Sequence, residues 1–187
     1  KNKYGLPDSY FLFLGNLEPR KNIESVIVAY DKFVDTYPKY SDYGLVLAGD
    51  RGWRYDSIFS TLKRSRNKNK INLVGYVDDQ DKSVFKKKKK IFLFPSFYEG
   101  FGFPVLEAMA NGTPVITSAN SSLPEIAQNA AIFVNPYNTN EMTTAIHSTL
   151  EDNNLTSRMI SESSRIREKF DWSNTAKDYL KLFTYFN

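Results

Sequence analysis

The sequence predicts an α/β domain with a doubly wound, mostly parallel sheet of about six strands. Short apolar runs recur along the chain, and they are apolar throughout rather than alternating, which is typical of strands buried on both faces of a parallel sheet. Longer amphipathic stretches separate the runs. Repeated alternation of strand and helix favours a sheet whose strands are joined by right-handed crossovers.

The elements follow one another in a regular order. The predicted strands are "YFLFLG" (10–15), "GLVLAG" (44–49), "INLVG" (71–75), "IFLFPS" (91–96), "PVITS" (114–118) and "AIFV" (131–134). The first predicted helix is "NIESVIVAYDKFVDTY" (22–37), whose apolar residues have helical spacing. The other predicted helices span 55–66, 79–89, 104–111 and 123–128, with a helical C-terminal tail at 140–152, 155–169 and 173–185. We found no internal repeat or long linker, so residues 1–187 are expected to form one Rossmann-like domain with helices on both faces.

The composition excludes several classes of site. The chain has no cysteine, so a disulfide framework, a thiolate zinc site and a cysteine nucleophile are excluded. This absence suits a reducing cytoplasm. No apolar run reaches the roughly 18 residues of a membrane-spanning helix. Because the chain begins close to its first strand, we expect a piece of a larger protein or a domain with a minimal leader.

The positive charge is clustered. The formal net charge is +4, and "KRSRNKNK" (63–70) and "KKKKK" (86–90) carry much of the positive charge. One interpretation is a solvated helix end, because "DDQDKSVFKKKKK" runs from acids to bases as a helix dipole prefers. The other is peripheral contact with an anionic membrane. Nucleic acid is not an expected partner, since no aromatic residues are interleaved with these bases.

Polar residues gather after the predicted strands, where ligands bind in sheets of this type. In "FYEGFGFPVLEAMANG" (97–112), Glu99 precedes a turn with two glycines and Glu107 follows it. The free amides of the helix that begins at Pro104 suit a phosphate group. Glu107 is expected in the first turn of this helix, either as a simple helix-start acid or as an acceptor for a vicinal diol such as a ribose. Glu99 is either a surface loop acid or part of the same site.

Arg20 and Lys21 follow the first predicted strand, with Asn22 as the expected N-cap of the next helix. Two adjacent cations there suit a diphosphate, and the guanidinium offers two parallel hydrogen bonds. The alternative is a solvent-facing pair, which would oppose the helix dipole.

Other candidates are weaker. "DQD" (79–81) has the spacing of a metal-binding pair, but its place at a predicted helix start favours capping. His147 is the only histidine and is interpreted as an ordinary helix residue. The motifs G-x-G-x-x-G, G-x-x-x-x-G-K-[ST] and G-x-S-x-G are absent, so a dehydrogenase, a P-loop NTPase and a serine hydrolase lack support.

The stretch "EGFGFPVLE" resembles the E-x7-E motif of the family 4 retaining glycosyltransferases, which are two-domain enzymes of GT-B architecture. The segments "LGNLEPRKN", "LAGDRGW", "LVGYV" and "SSLPEIAQNAAIFVNP" are similar to their counterparts in the C-terminal, nucleotide-sugar-binding half of that family. They occur in the family's order, from about residue 5 to the end of the chain.

The resemblance implies a role for each site residue. Arg20 and Lys21 would bind the donor diphosphate and stabilise the leaving group, Glu99 would contact the donor sugar, and Glu107 would hold the ribose. The amides around Phe101 would lie near sugar and phosphate. The implied donor-binding set is Gly15, Asn16, Tyr76, Val77, Gly100, Phe101, Gly102, Phe103 and Glu107. Many family members have an arginine where this chain has Asn16. The family requires no metal or other cofactor.

The resemblance also implies a function. "EPRKN" with "SSLPE" is similar to mannosyltransferase-like enzymes of bacterial surface polysaccharide assembly, that is, of O-antigen, capsule or exopolysaccharide. GDP-mannose is the favoured donor and a UDP-sugar the alternative. The acceptor would be a saccharide or a lipid-linked saccharide, bound through an N-terminal domain that this chain lacks, at the cytoplasmic face of the inner membrane. We expect the chain to be inactive alone. A non-catalytic nucleotide-binding or scaffolding module is the open alternative, whereas the single histidine disfavours a sugar-nucleotide epimerase.

Overall fold

The protein forms one six-stranded sheet in which every pairing is parallel and the strand order is β3-β2-β1-β4-β5-β6. This computed structural model describes residues 3–78, 80–81, 85 and 89–185. The strands are β1 (Tyr10–Leu14), β2 (Gly44–Ala48), β3 (Ile71–Gly75), β4 (Lys89–Phe94), β5 (Val115–Ser118) and β6 (Ala131–Val134). The expected doubly wound fold is confirmed.

The described helices alternate with the strands. They are α1 (Ile23–Thr36), α2 (Asp56–Arg64), α3 (Phe103–Ala110), α4 (Leu123–Ala127), α5 (Thr139–Glu151), α6 (Asn153–Arg167) and α7 (Trp172–Tyr185). Helix α1 packs on α2 and α5, and α3 packs on α4 and α6. Because right-handed crossovers run outward from the centre in both directions, α1 and α2 cover one face and α3 and α4 the other.

The core explains why the strands are apolar throughout. In β1, Tyr10, Phe11 and Phe13 are fully buried, because helices cover both faces of the sheet. The ring of Phe11 packs edge-on against that of Phe33 in α1, with 5.3 Å between the centroids. Burial of each such side chain stabilises the fold by about 2 kcal/mol.

The sheet has its switch point between β1 and β4. The chain moves from β1 to β3 on one side and from β4 to β6 on the other. The connections that follow β1 and β4 therefore diverge and leave a crevice at the carboxyl ends of these two strands. The segment with Arg20 and the segment with Glu99 border this crevice.

The predicted elements agree with the structure to within one or two residues, with one exception. Most of the predicted helix 79–89 lies outside the described residues, as does most of the lysine run 86–90. The last residue of the predicted helix was assigned wrongly, because Lys89 begins β4 and pairs with Tyr10. The backbone of Lys89 thus belongs to the ladder of the sheet rather than to a helix.

The last helix differs from the others in its packing. No residue of α7 is buried, and Tyr179, Leu180, Leu182 and Phe183 are all more than half exposed. None of the helices in the described ranges is long and apolar enough to cross a membrane.

Candidate functional site

Glu99 joins the two cations predicted from the sequence. Its Oε1 lies 2.7 Å from Nζ of Lys21, and its Oε2 lies 2.9 Å from Nη1 of Arg20. The carboxylate of Glu18 lies 3.6 Å from Nη2 of Arg20, so two carboxylates balance two cations. The cations differ in access, because the side chain of Lys21 is 11% exposed and that of Arg20 is 37% exposed. Arg20 is therefore the more accessible of the two cations.

The Glu99 carboxyl is held ionised. Burial alone would raise its pKa, but hydrogen bonds from Lys21 and Arg20 together with the charge of Lys21 outweigh burial, and the pKa lies below its usual value. Nζ of Lys21 also lies 4.8 Å from the centroid of the Phe94 ring, a cation–π distance. The buried Lys21–Glu99 pair is thus satisfied on both sides.

A short turn after β1 positions the cations. Pro19–Lys21 forms a single 3₁₀ turn, and Asn22 follows with a left-handed φ of 57°. Asn22 occupies the N-cap position of α1, but its side chain makes no capping hydrogen bond. The amide instead donates to the carbonyls of Pro95 and Pro136, at 3.1 and 2.7 Å. The predicted N-cap position is therefore correct, but the side chain does not cap the helix. It instead connects the loop after β1 with the loops after β4 and β6.

The segment that carries Glu99 is held from two sides. The amide of Phe97 donates to the carbonyl of Arg20 at 2.9 Å, and Nη1 of Arg20 donates to the carbonyl of Tyr98 at 2.6 Å. On the other side, the amide of Glu99 donates to Oγ of Ser121 at 3.0 Å, and Ser122 contacts the same segment. These serines were quoted within "SSLPE" but not predicted as site residues, since their role depends on contacts across the sheet.

Helix α3 begins one residue earlier than predicted. Gly102, with φ of 115°, is its N-cap and Phe103 its first residue, while Pro104 lies in the first turn as predicted. The prediction that Glu107 lies in the first turn is wrong: no acid lies there, and Glu107 is the fifth helical residue. The reason is that glycine enters the left-handed conformation readily, so the helix starts directly after Gly102.

Five predicted donor-binding residues line one cleft of about 240 Å³. They come from three separate segments and are Gly15, Asn16, Tyr76, Val77 and Glu107. Leu14, Gly49, Asp50 and Pro104 complete the lining and were not in the predicted site. The cleft opens at the carboxyl ends of the strands, as expected for a doubly wound sheet.

Gly49 is the clearest residue that was missed. Its φ is 143°, and a Cβ there would lie 2.0 Å from the carbonyl oxygen of Gly15. The two backbones therefore approach so closely that no side chain fits. The glycine that ends "GLVLAG" was a visible signal, but only the structure shows its partner.

The side chains of Phe101 and Phe103 lie elsewhere. Their ring centroids are 4.6 Å apart, and both line a second groove of about 450 Å³ together with Phe170 and Trp172. Glu107 lines this groove as well as the 240 Å³ cleft. The two phenylalanine side chains therefore face α7 rather than the 240 Å³ cleft. The donor role predicted for this segment rests on its backbone amides.

Two weaker candidates have structural partners. Asp81 accepts hydrogen bonds from Nζ of Lys3 at 2.6 Å and from the hydroxyl of Tyr4 at 2.5 Å, and Asp79 lies outside the described residues. His147 lies in α5 as expected, and its ring stacks on that of Tyr37 at 3.9 Å. Within the part of the chain that the structure describes, no group of three or more His, Cys, Asp or Glu side chains is placed to hold a metal ion.

The fold and the crevice define a Rossmann-like α/β domain, and comparisons with known proteins give its family. Residues 1–165 match the family Glycosyl transferases group 1. The chain therefore belongs to that family.

Two curated relatives are mannosyltransferases. The chain is 34% identical over 183 residues to O-antigen chain mannosyltransferase B of Escherichia coli, which covers 97% of this chain and 47% of the relative. It is 32% identical over 130 residues to O-antigen chain mannosyltransferase RfbU of Salmonella typhimurium, and this match covers 69% of this chain and 35% of the relative. The chain thus spans half or less of the length of these relatives.

Solved structures share the fold. The Anabaena protein HepE, in complex with UDP and glucose, superimposes with a TM-score of 0.81 at 18% identity, over 95% of this chain and 48% of HepE. The C-terminal domain of the group 1 glycosyl transferase LpcC from Francisella tularensis gives a TM-score of 0.72 at 20% identity, over 88% of this chain and 87% of that domain. The second match shows that an isolated domain of this extent has the same architecture.

Proposed function

We propose that this chain is the donor-binding, C-terminal domain of a family 4 retaining glycosyltransferase of GT-B architecture, with Glu99 and Glu107 as the two acids of an E-x7-E motif. One observation carries the proposal. Glu99 bridges Arg20 and Lys21 at the β1–β4 crevice, where a doubly wound sheet binds its ligand.

The cations act on the diphosphate of the donor. Transfer breaks the bond between the anomeric carbon and a phosphate oxygen, so negative charge develops on the departing nucleoside diphosphate. Positive groups fixed before the reaction stabilise that charge without reorganising. Arg20, the more exposed cation, contacts the diphosphate, and Lys21 lies behind it and holds the Glu99 carboxylate in place. Glu99 then contacts the donor sugar near the reacting carbon.

The 240 Å³ cleft holds the nucleoside. Glu107 is exposed on α3 and lines this cleft together with Tyr76 and Val77. A carboxylate accepts two hydrogen bonds from a vicinal diol, so Glu107 binds the ribose although it lies beyond the first helical turn. The backbone at Tyr76 and Val77 borders the base, and Gly15 and Asn16 lie beside the phosphates. The phosphate contacts need no metal ion, since cations and amides supply the positive charge.

GDP-mannose is the proposed donor, and assembly of a bacterial surface polysaccharide is the proposed process. The support is the identity of 34% with O-antigen chain mannosyltransferase B over almost the whole chain. A UDP-sugar is the alternative donor, since HepE was solved with UDP and glucose.

The complete enzyme has a further, N-terminal domain that binds a saccharide or lipid-linked acceptor. Two observations support this proposal. The chain covers 47% of its E. coli relative, and the exposed apolar residues of α7 offer a surface for another domain. The chain alone lacks acceptor contacts, so we expect it to bind the donor weakly and to transfer no sugar.

The enzyme works at the cytoplasmic face of the inner membrane. This part of the proposal rests on the lysine run 86–90, because basic clusters are attracted to anionic lipid. Replacing the five lysines with glutamine in the full enzyme should weaken its binding to vesicles that contain anionic lipid. Unchanged binding would favour the other interpretation, in which the lysine run is a solvated surface without membrane contact.

Calorimetric titration tests the proposed site. GDP, UDP and ADP are titrated into the wild-type chain and into the variants Glu107→Ala and Arg20→Ala. Arg165→Ala is the matched arginine control, because Arg165 is 70% exposed and pairs only with Glu162 on α6 among the described residues. We expect the wild-type chain to bind GDP saturably. Both site variants should lose this binding, and the Arg165→Ala control should retain it. Binding that survives in both variants would contradict the site. If no nucleotide binds, the titration is repeated on the full-length protein, and failure there would favour a non-catalytic module.

A further inference from the structure

Ser122, which follows β5 and precedes α4, contacts the segment that carries Glu99 at two points. Its hydroxyl lies 2.9 Å from the carbonyl oxygen of Glu99 and 2.6 Å from that of Phe101. Its single proton is thus held between two carbonyls of the same turn. The two carbonyls belong to the peptide units that precede Gly100 and Gly102.

These contacts fix the direction of two amides. All described peptide bonds are trans, and in a trans peptide the N–H points opposite to the C=O. With both carbonyls turned toward Ser122, the N–H groups of Gly100 and Gly102 point away from the loop after β5.

The strand order indicates which side of the turn these two N–H groups face. Strand β4 lies between β5 and β1, so the side of the turn opposite the β5 loop is the side of β1. The loop after β1 carries Arg20 and Lys21. The two N–H groups therefore face the crevice that contains the cations, which is where a diphosphate would lie.

We infer that Ser122 is a positioning residue that orients the amides of Gly100 and Gly102 toward the phosphates of the donor. This inference rests on the proposed function and deepens it. Two oriented N–H groups would add hydrogen bonds to the anion beyond those of the cations. The neighbouring Ser121 contributes differently, because its Oγ accepts from the amide of Glu99 and leaves the carbonyls to Ser122.

The test combines amide orientation with binding. Residual dipolar couplings of the Gly100 and Gly102 N–H groups are measured in the ligand-free wild-type chain, in Ser122→Ala and in Ser122→Thr. Calorimetry with GDP and UDP then gives the affinity of each form. Ser163→Ala is the matched control, since the buried hydroxyl of Ser163 donates to the carbonyl of Met159 in α6 at 2.8 Å, away from the crevice. Thermal unfolding checks that each variant is folded.

We expect Ser122→Ala to change both couplings and to weaken GDP binding about threefold to tenfold, as for loss of one hydrogen-bonding group. Ser122→Thr keeps a hydroxyl and should have the couplings and the GDP affinity of the wild type. Ser163→Ala should change neither the couplings nor the affinity. Unchanged couplings, or changed couplings with unchanged affinity, would overturn the inference. If the wild-type chain binds neither nucleotide, the titrations are repeated on the full-length protein. Absence of binding there would contradict the proposed function, whereas the couplings would still decide whether Ser122 sets the two peptide planes.

Discussion

Nζ of Lys21 lies 2.7 Å from Oε1 of Glu99, and both side chains are buried at the mouth of the sheet. The two residues are 78 positions apart in sequence. Strand order brings them together, because β1 and β4 are neighbours although β2 and β3 separate them in the chain. The pair therefore links the stability of the sheet centre to the charge of the candidate site.

Removing one partner of this pair should be costly. Lys21→Met leaves the Glu99 carboxylate buried with only Arg20 as a close cation among the described residues, and we expect a loss of about 3 kcal/mol in the free energy of unfolding. Urea denaturation measures it.

The double variant Lys21→Met with Glu99→Gln should recover part of the loss, since it leaves no unpaired buried charge. The control Lys181→Met removes an exposed pair with Asp178 and should change the free energy by less than about 0.5 kcal/mol. A loss at Lys21 as small as that of the control would contradict a buried, coupled pair.

Stability should fall in acid through Glu99. The pKa of this carboxyl is lowered in the folded protein, so the unfolded state binds the proton more tightly. The stabilisation by ionised Glu99 is therefore fully present above the ordinary glutamate pKa, near 4.5, and is lost as the pH falls through the lower folded value. Urea midpoints between about pH 6 and pH 3 should decrease less steeply for Glu99→Gln than for the wild type. Parallel curves would show that other carboxyls dominate acid unfolding.

The close approach of two backbones at Gly49 predicts a clash. In Gly49→Ala the new Cβ would lie 2.0 Å from the carbonyl oxygen of Gly15, so the loops after β1 and β2 must separate. We expect roughly 3 kcal/mol of destabilisation from strain and overpacking, together with weaker nucleotide binding because both glycines line the 240 Å³ cleft. Gly100→Ala is the control for stability, since a Cβ there meets no atom within 4 Å. Equal melting temperatures for the two variants would contradict this geometry.

Local patterns in the sequence predicted much of this fold. Uniformly apolar strands such as β1 indicated a sheet buried on both faces, and glycines and charges after the strands indicated the edge where the candidate site lies. The sequence did not show which loops meet, because a contact such as Ser122 with Glu99 depends on strand order. The helix start at Phe103 was missed by one residue because Pro104 is the stronger local signal, whereas the left-handed Gly102 sets the start.

The exposed helix α7 gives the last prediction. Leu180 is 63% exposed, so Leu180→Gln should change the free energy of unfolding of the 187-residue chain by less than about 0.5 kcal/mol. Met159→Gln is the contrast, because Met159 of α6 is 1% exposed and its replacement by a polar side chain should cost about 3 kcal/mol. In a full-length protein whose further domain packs on α7, Leu180→Gln should instead destabilise by about 1 to 2 kcal/mol, since an apolar contact is lost. Urea denaturation of both lengths measures the difference. An equal, small effect in the two proteins would show that α7 stays solvent-exposed and that the further domain packs elsewhere.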